Sequence, residues 1–325
     1  MNQVTVLVSS AGRRCELIRI IRSDAASLGL KCRIVATDMA PEWSAACREA
    51  DASHQVPPAN HPEFIEVTQD VLQREECNLL IPTIDTELEA ISRARDGWEA
   101  SRPNLFVLSH SSFFVDICRD KARTMETLAK AGIAVPTTYF RPGGKPARLD
   151  DAFWPMIAKP PGGSSSKGIR LVHNEREFEE VVEEGMLLIQ DRLEGREYTV
   201  NTYVTRAGQV AAVVPHRRIA VRGGEVEKGI VEDLPVITDT VKRLVSSVGG
   251  VSGPFNFQVI QGADGQCRIF EINARLGGGY PLAHRAGGRF TKWAIEEGLL
   301  GRQVEPSPVE FGWKMMRYDT SVFER

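Results

Sequence analysis

Two apolar segments late in the chain, residues 255–260 and 268–273, carry three side chains whose oxygen atoms suit a metal ion. Gln258 lies in the first segment, and Glu271 and Asn273 stand two residues apart in the second. Mg²⁺ binds oxygen ligands and completes its shell with water and substrate phosphates, so this trio predicts a magnesium site. The alternative interpretation of the same residues is a half-exposed polar strand face.

The period of a β-strand divides residues 270–275 between two faces. Alternate residues share a face, so Arg275 is expected beside Glu271 and Asn273. A guanidinium group there can hold a transferring phosphoryl group in a bidentate manner. The intervening side chains are expected to pack into the core, and they are Phe270, Ile272 and Ala274.

Residues 162–168 form a glycine-serine loop, GGSSSKG. A chain without large side chains can turn its N–H groups towards phosphate oxygens, although such a stretch can equally be a plain linker. No Lys-Ser or Lys-Thr follows Gly168, so the loop does not fit a P-loop. Residues 9–14 contain only Gly12 where a dinucleotide fingerprint needs three spaced glycines. Two common nucleotide-binding folds are therefore disfavoured.

Several basic side chains have two interpretations, a contact with phosphate or substrate and a place on a solvated surface. They are Arg13, Arg14, Arg218, Arg222, Lys228, Arg285 and Arg289. Arg285 and Arg289 follow the glycine run 276–280, whose backbone can approach a small ligand closely. His216 is interpreted as structural. The six histidines lack metal-ligand spacing and give no support for a zinc site.

The elements that must position these residues begin with an alternation of β-branched runs and amphipathic stretches. Strands are predicted at residues 4–8, 32–36, 79–81 and 105–108, with a helix at residues 14–27. Strands separated by helices indicate a parallel sheet with crossover connections. Ligands of such sheets lie beyond the carboxyl ends of the strands. The loops there are candidates for one pocket, and they are residues 9–14, 37–38 and 82–87.

A second pattern begins near Asp116. Asp120 opens a helix that stops at Gly132. Residues 156–159 and 169–172 predict a hairpin around the glycine-serine loop. The next helix is acidic, with its buried stripe at Phe178, Val181 and Val182. Strands are expected again from Tyr198 onward, and the predicted domains are residues 1–115, 116–190 and 191–325.

Composition limits the function classes. The 325 residues carry 40 basic and 43 acidic side chains, a net charge of −3, which disfavours nucleic acid as a main partner. No stretch approaches 18 uncharged apolar residues, and the first apolar run is too short for a secretory signal, so neither export nor a membrane span is expected. The six cysteines include no C-x-x-C pair, which favours reduced thiols in a cytoplasmic protein.

The order of these segments resembles the ATP-grasp family at four places. They are Asp120-Lys121, residues 156–160 with the glycine-serine loop, residues 190–197 (QDRLEGRE), and Gln258 with residues 271–275 (EINAR). The match runs from about residue 116 to about residue 280. Gln258 and the N-terminal residues 10–14 and 82–88 are similar to one synthetase unit of the carbamoyl-phosphate synthase large subunit.

The resemblance implies an α/β fold in which an open parallel α/β domain precedes a two-lobed α+β ATP-grasp domain. It gives the α- and β-phosphates of ATP to Lys121 and Lys159. The loop residues that would close over the β- and γ-phosphates are Gly162, Gly163, Ser164, Ser165, Ser166 and Gly168. The hinge begins at Gln190, where relatives often have Glu. The backbone of Asp191 and Leu193 would contact the adenine edge, and Glu197 would accept the ribose hydroxyls.

By the same resemblance, Gln258, Glu271 and Asn273 hold Mg²⁺ or Mn²⁺. Arg275, Lys159 and Arg218 are the candidates for catalysis, with Arg275 meeting an acyl phosphate. The implied activity is ligation of a small-molecule carboxylate to an amine through that intermediate, with release of ADP and phosphate. Dimers are common among the relatives, so a homodimer is one expected assembly.

Two other functions stay open at this point. One is a kinase-like enzyme that releases the acyl phosphate, and the other is a regulatory protein that binds ATP without turnover. Carbamoyl-phosphate synthesis itself is disfavoured, because the chain has one synthetase unit and no internal repeat.

Overall fold

The computed structural model describes residues 2–150, 152–163 and 168–323. Its first part is a parallel five-stranded sheet with flanking helices. The strands are β1 (Gln3–Ser9), β2 (Lys31–Asp38), β3 (Ala52–Gln55), β4 (Leu79–Pro82) and β5 (Phe106–Val107), in the order β3-β2-β1-β4-β5. The helices are α1 (Cys15–Ser27), α2 (Ala45–Glu49), α3 (Phe64–Arg74) and α4 (Leu88–Ser101). The predicted parallel sheet and its first helix are confirmed.

The loops at the carboxyl ends of β1, β2 and β4 meet, as the sequence predicts. The buried Glu87 carboxylate accepts hydrogen bonds from the hydroxyls of Ser9 and Ser10, at 2.6 and 2.7 Å, and from the Thr83 amide at 2.6 Å. The Gly12 amide donates to Asp38 at 2.9 Å. One buried acid therefore joins two of the three loops.

A small antiparallel sheet carries the predicted hairpin. Before it come α5 (Ser112–Arg119) and α6 (Lys121–Lys130). Its strands are β6 (Thr138–Phe140), β7 (Met156–Lys159), β8 (Arg170–Val172) and β9 (Leu188–Gln190), in the order β6-β9-β7-β8, with α7 at Glu175–Glu184. The pairing of β7 with β8 confirms the hairpin. Phe178 and Val181 of α7 are buried against this sheet, and Val182 is partly buried there.

The third sheet is antiparallel and has six strands. They are β10 (Arg196–Val204), β11 (Val210–Arg222), β12 (Glu225–Val231), β13 (Gly253–Gln261), β14 (Cys267–Asn273) and β15 (Lys314–Met316), in the order β14-β13-β10-β11-β12-β15. The helices of this region are α8 (Pro235–Val248), α9 (Tyr280–Arg285) and α10 (Phe290–Leu299).

A β-bulge in β14 corrects one expectation. Gln258 pairs with Glu271, but Val259 pairs with Ile269, so Phe270 is an extra residue on its strand. The bulge turns Ile269 into the core, where Ile272 is also buried. The prediction that Phe270 packs in the core is therefore wrong, whereas the burial expected of Ile272 and Ala274 is confirmed.

Two hydrophobic cores join segments that are distant in the sequence. One contains side chains of β1, α1 and β2 together with those of α9 and α10. The other contains side chains of α5 and α6 together with those of β10, β13 and β14. The domain boundaries at residues 115 and 190 stay a prediction.

A buried polar cluster also ties α1 to the C-terminal helices. The Asp24 carboxylate contacts His284 at 2.9 Å and accepts hydrogen bonds from the Thr291 hydroxyl and the Lys292 amide at 2.5 and 3.0 Å. Arg289 lies 3.0 Å from the same His284 ring. None of the described helices is long and apolar enough to cross a bilayer.

Two helical glycines provide a matched test of the packing of α10 on β5. A Cβ atom at Gly298 of α10 would overlap the Phe106 ring of β5, whereas one at Gly97 of α4 would meet no atom within 4 Å. We expect Gly298→Ala to lower the free energy of unfolding by about 1–3 kcal/mol through overpacking. Gly97→Ala should leave it unchanged or raise it by up to ~1 kcal/mol, because alanine favours the helix. Equal urea midpoints for the two variants would contradict the packing of α10 on β5.

Candidate nucleotide and phosphoryl-transfer site

Two lysines from different elements approach one carboxylate. Lys121 is the first residue of α6, whose N-terminus is capped by the Asp120 side chain. Its ammonium group lies 3.5 Å from Glu271 Oε1 and donates a hydrogen bond to the Gly163 carbonyl at 2.9 Å. Lys159 ends β7, and its Nζ lies 5.6 Å from the centre of the Phe270 ring. The end of β7, the start of α6 and the strand β14 therefore meet at this point.

Lys159 is almost fully buried, with 6% of its surface exposed. Burial first and the neighbouring Lys121 charge second lower the pKa of Lys159, against the opposing Glu271, to about 8 in all. A desolvated ammonium near a like charge is a site that an anion stabilises. The bulge at Phe270 supplies the ring face below it.

The glycine-serine loop begins next to Lys121, which donates a hydrogen bond to the Gly163 carbonyl. Gly163 and Gly168 have φ values of 98° and 75°, a region that glycine adopts without strain. The Lys121 amide donates to the Pro161 carbonyl at 2.9 Å, which fixes the approach to the loop. Ser164, Ser165 and Ser166 lie outside the described residues, so their predicted contact with phosphate stays a prediction.

The metal candidates lie on adjacent strands. Gln258 and Glu271 are directly opposite each other, and Asn273 is opposite Asn256. Oriented to satisfy both neighbours, the Gln258 amide donates to Glu271 at 3.2 Å, and its oxygen accepts from Arg218 at 3.1 Å. One carboxylate and two amide oxygens on one stretch of sheet fit Mg²⁺, which prefers hard oxygen donors.

Arg218 of β11 connects the metal candidates to the predicted ribose acceptor. Its guanidinium lies 3.1 Å from Glu197 Oε1, and it donates to the Thr199 hydroxyl and the Gly224 carbonyl at 3.1 and 3.0 Å. Glu197 and Gln258 therefore share one buried cation. Sequence reasoning did not foresee this link, because it depends on the pairing of β10 with both β11 and β13.

The predicted adenine hinge follows β9. Gln190 is fully buried, and its amide donates to the Thr138 hydroxyl at 2.8 Å. The Asp191 amide donates to the Thr137 carbonyl at 3.0 Å, and the Asp191 carboxylate accepts from the Tyr139 hydroxyl at 3.0 Å. The side chain and amide of Asp191 thus hold the hinge to β6. The adenine contacts predicted for Asp191 and Leu193 stay a prediction.

Arg275 lies in a buried ion pair that joins the parallel sheet to β14. Its Nε and Nη2 atoms donate to the two Asp85 oxygens at 2.9 and 2.5 Å, and its Nη1 atom donates to the Leu276 carbonyl at 3.1 Å. Burial lowers the pKa of Arg275, but the carboxylates of Asp85, Glu225 and Glu271 together outweigh it, so the pKa is raised. Sequence reasoning placed Asp85 in the pocket loop 82–87 but did not pair it with Arg275.

The other basic candidates differ in their distance from the residues around Glu271. Arg222 forms a bidentate ion pair with Asp319 at 2.8 and 2.9 Å. Arg285 stacks over the Trp313 ring at 4.2 Å, and Lys228 is exposed on β12. These three lie outside the cluster around Glu271. Arg14, by contrast, lies 3.2 Å from Glu225, the first residue of β12.

The glycine run after β14 has a packing role. Cβ atoms at Gly277 and Gly279 would come within 2.9 Å of Asn256 and 2.6 Å of His216, and one at Gly278 would overlap the Glu225 carboxylate. The glycines therefore let side chains of β11, β12 and β13 approach the backbone. His216 is fully buried, and burial lowers its pKa to about 3, so it is neutral near pH 7.

The ATP-grasp class is defined by a parallel α/β domain followed by two antiparallel sheets, with lysines such as Lys121 and Lys159 next to a polar strand. Residues 118–279 match the family model of the ATP-grasp domain, and residues 6–102 match that of the PylC-like N-terminal domain. The chain therefore belongs to the ATP-grasp family and has a PylC-like N-terminal domain.

A curated relative from Methanothrix thermoacetophila is described as 5-formaminoimidazole-4-carboxamide-1-(beta)-D-ribofuranosyl 5'-monophosphate synthetase. It is 25% identical over 225 residues, which cover 57% of this chain and 61% of the relative. The chain thus spans less than two thirds of the length of that relative.

Solved structures share the fold at lower identity. The biotin carboxylase domain of Hydrogenobacter thermophilus 2-oxoglutarate carboxylase, a dimer in complex with MgADP and bicarbonate, has a TM-score of 0.73 at 18% identity and covers 95% of this chain and 73% of its own. An L-amino acid ligase from Bacillus licheniformis has a TM-score of 0.69 at 19% identity, covering 92% and 75%.

The ion pair of Asp85 and Arg275 can be weighed against an exposed pair. Asp85→Ala leaves a buried guanidinium without its carboxylate, so we expect the free energy of unfolding to fall by about 3–5 kcal/mol. Asp116→Ala removes the carboxylate of an exposed pair with Arg93, 3.0 Å long, and should lower it by less than ~1 kcal/mol. Denaturant unfolding measures both, and a similar small effect for both variants would contradict the buried pair.

Proposed function

We propose that this protein is an ATP-dependent carboxylate–amine ligase that works through an acyl phosphate. The observation that carries the proposal is the convergence of Lys121 and Lys159 near Glu271, the central metal candidate. Two cations and a set of oxygen donors suit a nucleoside triphosphate with its metal ion. The synthetase and ligase names of the relatives support the same reaction class.

Each residue has a defined part in the proposal. Lys121 and Lys159 neutralise phosphate charge, and the glycine-serine loop closes over the transferring group and keeps water away. Gln258, Glu271 and Asn273 would hold Mg²⁺ or Mn²⁺, which when bound neutralises developing charge on the phosphate oxygens. Glu197, held by Arg218, would accept the ribose hydroxyls.

The reaction has two balanced steps. A substrate carboxylate oxygen attacks the γ-phosphorus of ATP, and the bond to ADP breaks. The amine nitrogen then attacks the acyl carbon, phosphate leaves, and the nitrogen loses a proton. Arg275 lies two residues after β14, where its guanidinium is held by Asp85 beside the proposed acyl phosphate. The nucleophile is the substrate carboxylate, so this scheme uses no cysteine.

The assembly and location belong to the same proposal. We expect small-molecule substrates, a cytoplasmic protein and a homodimer, and neither a nucleic acid nor a membrane as partner. The dimeric carboxylase domain with the same fold supports the homodimer. Light scattering of the purified protein gives the assembly directly.

ADP release tests the activity. We expect it to need a carboxylate and an amine together, in a screen of carboxylates crossed with amines that is scored by ADP and by product mass. Lys159→Met and Glu271→Gln should lower turnover about a hundredfold or more, because each removes charge stabilisation of the transferring group. Glu183→Gln, which alters an exposed acid of α7, is the matched control.

Turnover with the acid alone would indicate a kinase-like enzyme that releases the acyl phosphate, and not a ligase. Nucleotide binding without turnover for every pair would indicate a regulatory protein. Full activity in Lys159→Met and Glu271→Gln would refute the site.

The lowered pKa of Lys159 predicts a pH dependence of nucleotide binding. Near pH 7 the ammonium is charged, whereas above pH 8 it must first take up a proton, so MgADP affinity should fall about tenfold between pH 7 and pH 9. Lys159→Met should bind weakly and without this step. In Lys121→Met the step should move to higher pH, because the neighbouring charge no longer lowers the pKa. An unchanged step in Lys159→Met would assign it to another group.

A further inference from the structure

A second group of charges lies near Arg275. Arg14 follows β1, Glu225 begins β12, and Arg317 follows β15 directly. Arg14 Nη1 lies 3.2 Å from Glu225 Oε1, and Arg317 Nη1 donates to Glu225 Oε2 at 2.8 Å. One carboxylate is thus held between two guanidinium groups that come from opposite ends of the chain.

The charges within this group and the neighbouring ion pair do not balance. Three guanidinium groups, those of Arg14, Arg275 and Arg317, share the two carboxylates of Asp85 and Glu225. The bidentate pair uses Asp85 fully for Arg275, which leaves Arg14 and Arg317 with one carboxylate between them. One positive charge is therefore in excess.

This excess charge is partly removed from water. The Arg14 side chain is 19% exposed, and that of Arg317 is 30% exposed. Burial lowers the pKa of Arg14, and the charges of Arg275 and Arg317 add to that effect against the opposing Glu225. A desolvated cation in excess is stabilised by an incoming anion, which restores the missing countercharge.

The backbone around Glu225 is built to keep this arrangement. A Cβ atom at position 278 would overlap the Glu225 carboxylate, so only glycine permits Glu225 to lie there. Arg317 also donates to the Gly278 carbonyl, and Arg14 lies 3.4 Å from the Thr83 carbonyl. Glu225 therefore acts as a positioning residue that orients both guanidinium groups.

The group lies beside the proposed transfer site, because Arg14 donates to the Thr83 carbonyl, two residues before the Asp85 partner of Arg275, and Arg317 donates to Gly278, three residues after Arg275. We propose that Arg14 and Arg317 bind an oxyanion of the substrate, a carboxylate or phosphate group other than the carboxylate that is activated. The substrate is then an acid with a second anionic group. This inference rests on the proposed function for its place in the reaction, but the anion site can be tested separately.

Ligand-dependent thermal stabilisation tests the anion site. Succinate and inorganic phosphate are the probes, each compared with sodium chloride at equal ionic strength and in the presence of MgADP. A ligand that binds the folded state raises the melting temperature with its concentration, so the shift gives a dissociation constant. We expect one of the two anions to stabilise the wild-type protein, and which one it is distinguishes a carboxylate from a phosphate group.

The variants give the decisive comparison. Arg14→Gln should weaken binding of that anion at least about tenfold, since it removes a charge-assisted contact. Arg22→Gln, on the same helix and paired with Asp51 at 3.1 Å, should bind the anion as the wild type does. If Arg14→Gln does not fold, Arg317→Gln and Arg14→Lys take its place. No stabilisation of the wild type by either anion, or equal stabilisation of Arg14→Gln, would overturn the proposal.

The same assay separates the two proposals. MgADP should stabilise Arg14→Gln as much as the wild type, because Arg14 is not in the nucleotide set. If MgADP binds none of the proteins but the anion effect still depends on Arg14, the proposed function fails and the anion site stands. If MgADP binds and the anion effect is absent, the anion site fails and the proposed nucleotide site stands.

Discussion

Burial of like charges beside one carboxylate is the constraint on which the site depends. Lys121 and Lys159 both lie near Glu271, and Lys159 is largely removed from water. Such an arrangement is unfavourable by itself, because desolvation and mutual repulsion both oppose a second ammonium charge. An anionic ligand with several charges, such as a triphosphate, relieves both effects.

The fold supplies this arrangement through its element ends. The Asp120 cap fixes the start of α6 and with it Lys121, and the end of the hairpin strand β7 places Lys159. The bulge in β14 puts Phe270 next to Lys159 and leaves Glu271 facing Lys121. The pair of Asp85 with Arg275 then ties β14 to the loop after β4, so the two sheets meet at the site.

Features that depend on local periodicity could be predicted from the sequence. The parallel strands, the hairpin and the buried stripe of α7 each follow from the residue pattern within one segment, whereas Lys121 and Lys159 were suggested by motifs. Phe270 could not be placed, because a bulge breaks the two-residue period and is set by the partner strand. The pairing of Asp85 with Arg275 joins residues 190 positions apart, and the link from Arg218 to Glu197 needs the strand order; neither has a local signal.

A crystal structure with Mg²⁺ and a nonhydrolysable ATP analogue is the most direct test of the central claim. The account predicts phosphate oxygens within hydrogen-bond distance of Lys121 and Lys159 and a metal ion on Glu271. A nucleotide bound elsewhere, or phosphates that leave Lys159 buried against Phe270 without contact, would contradict it.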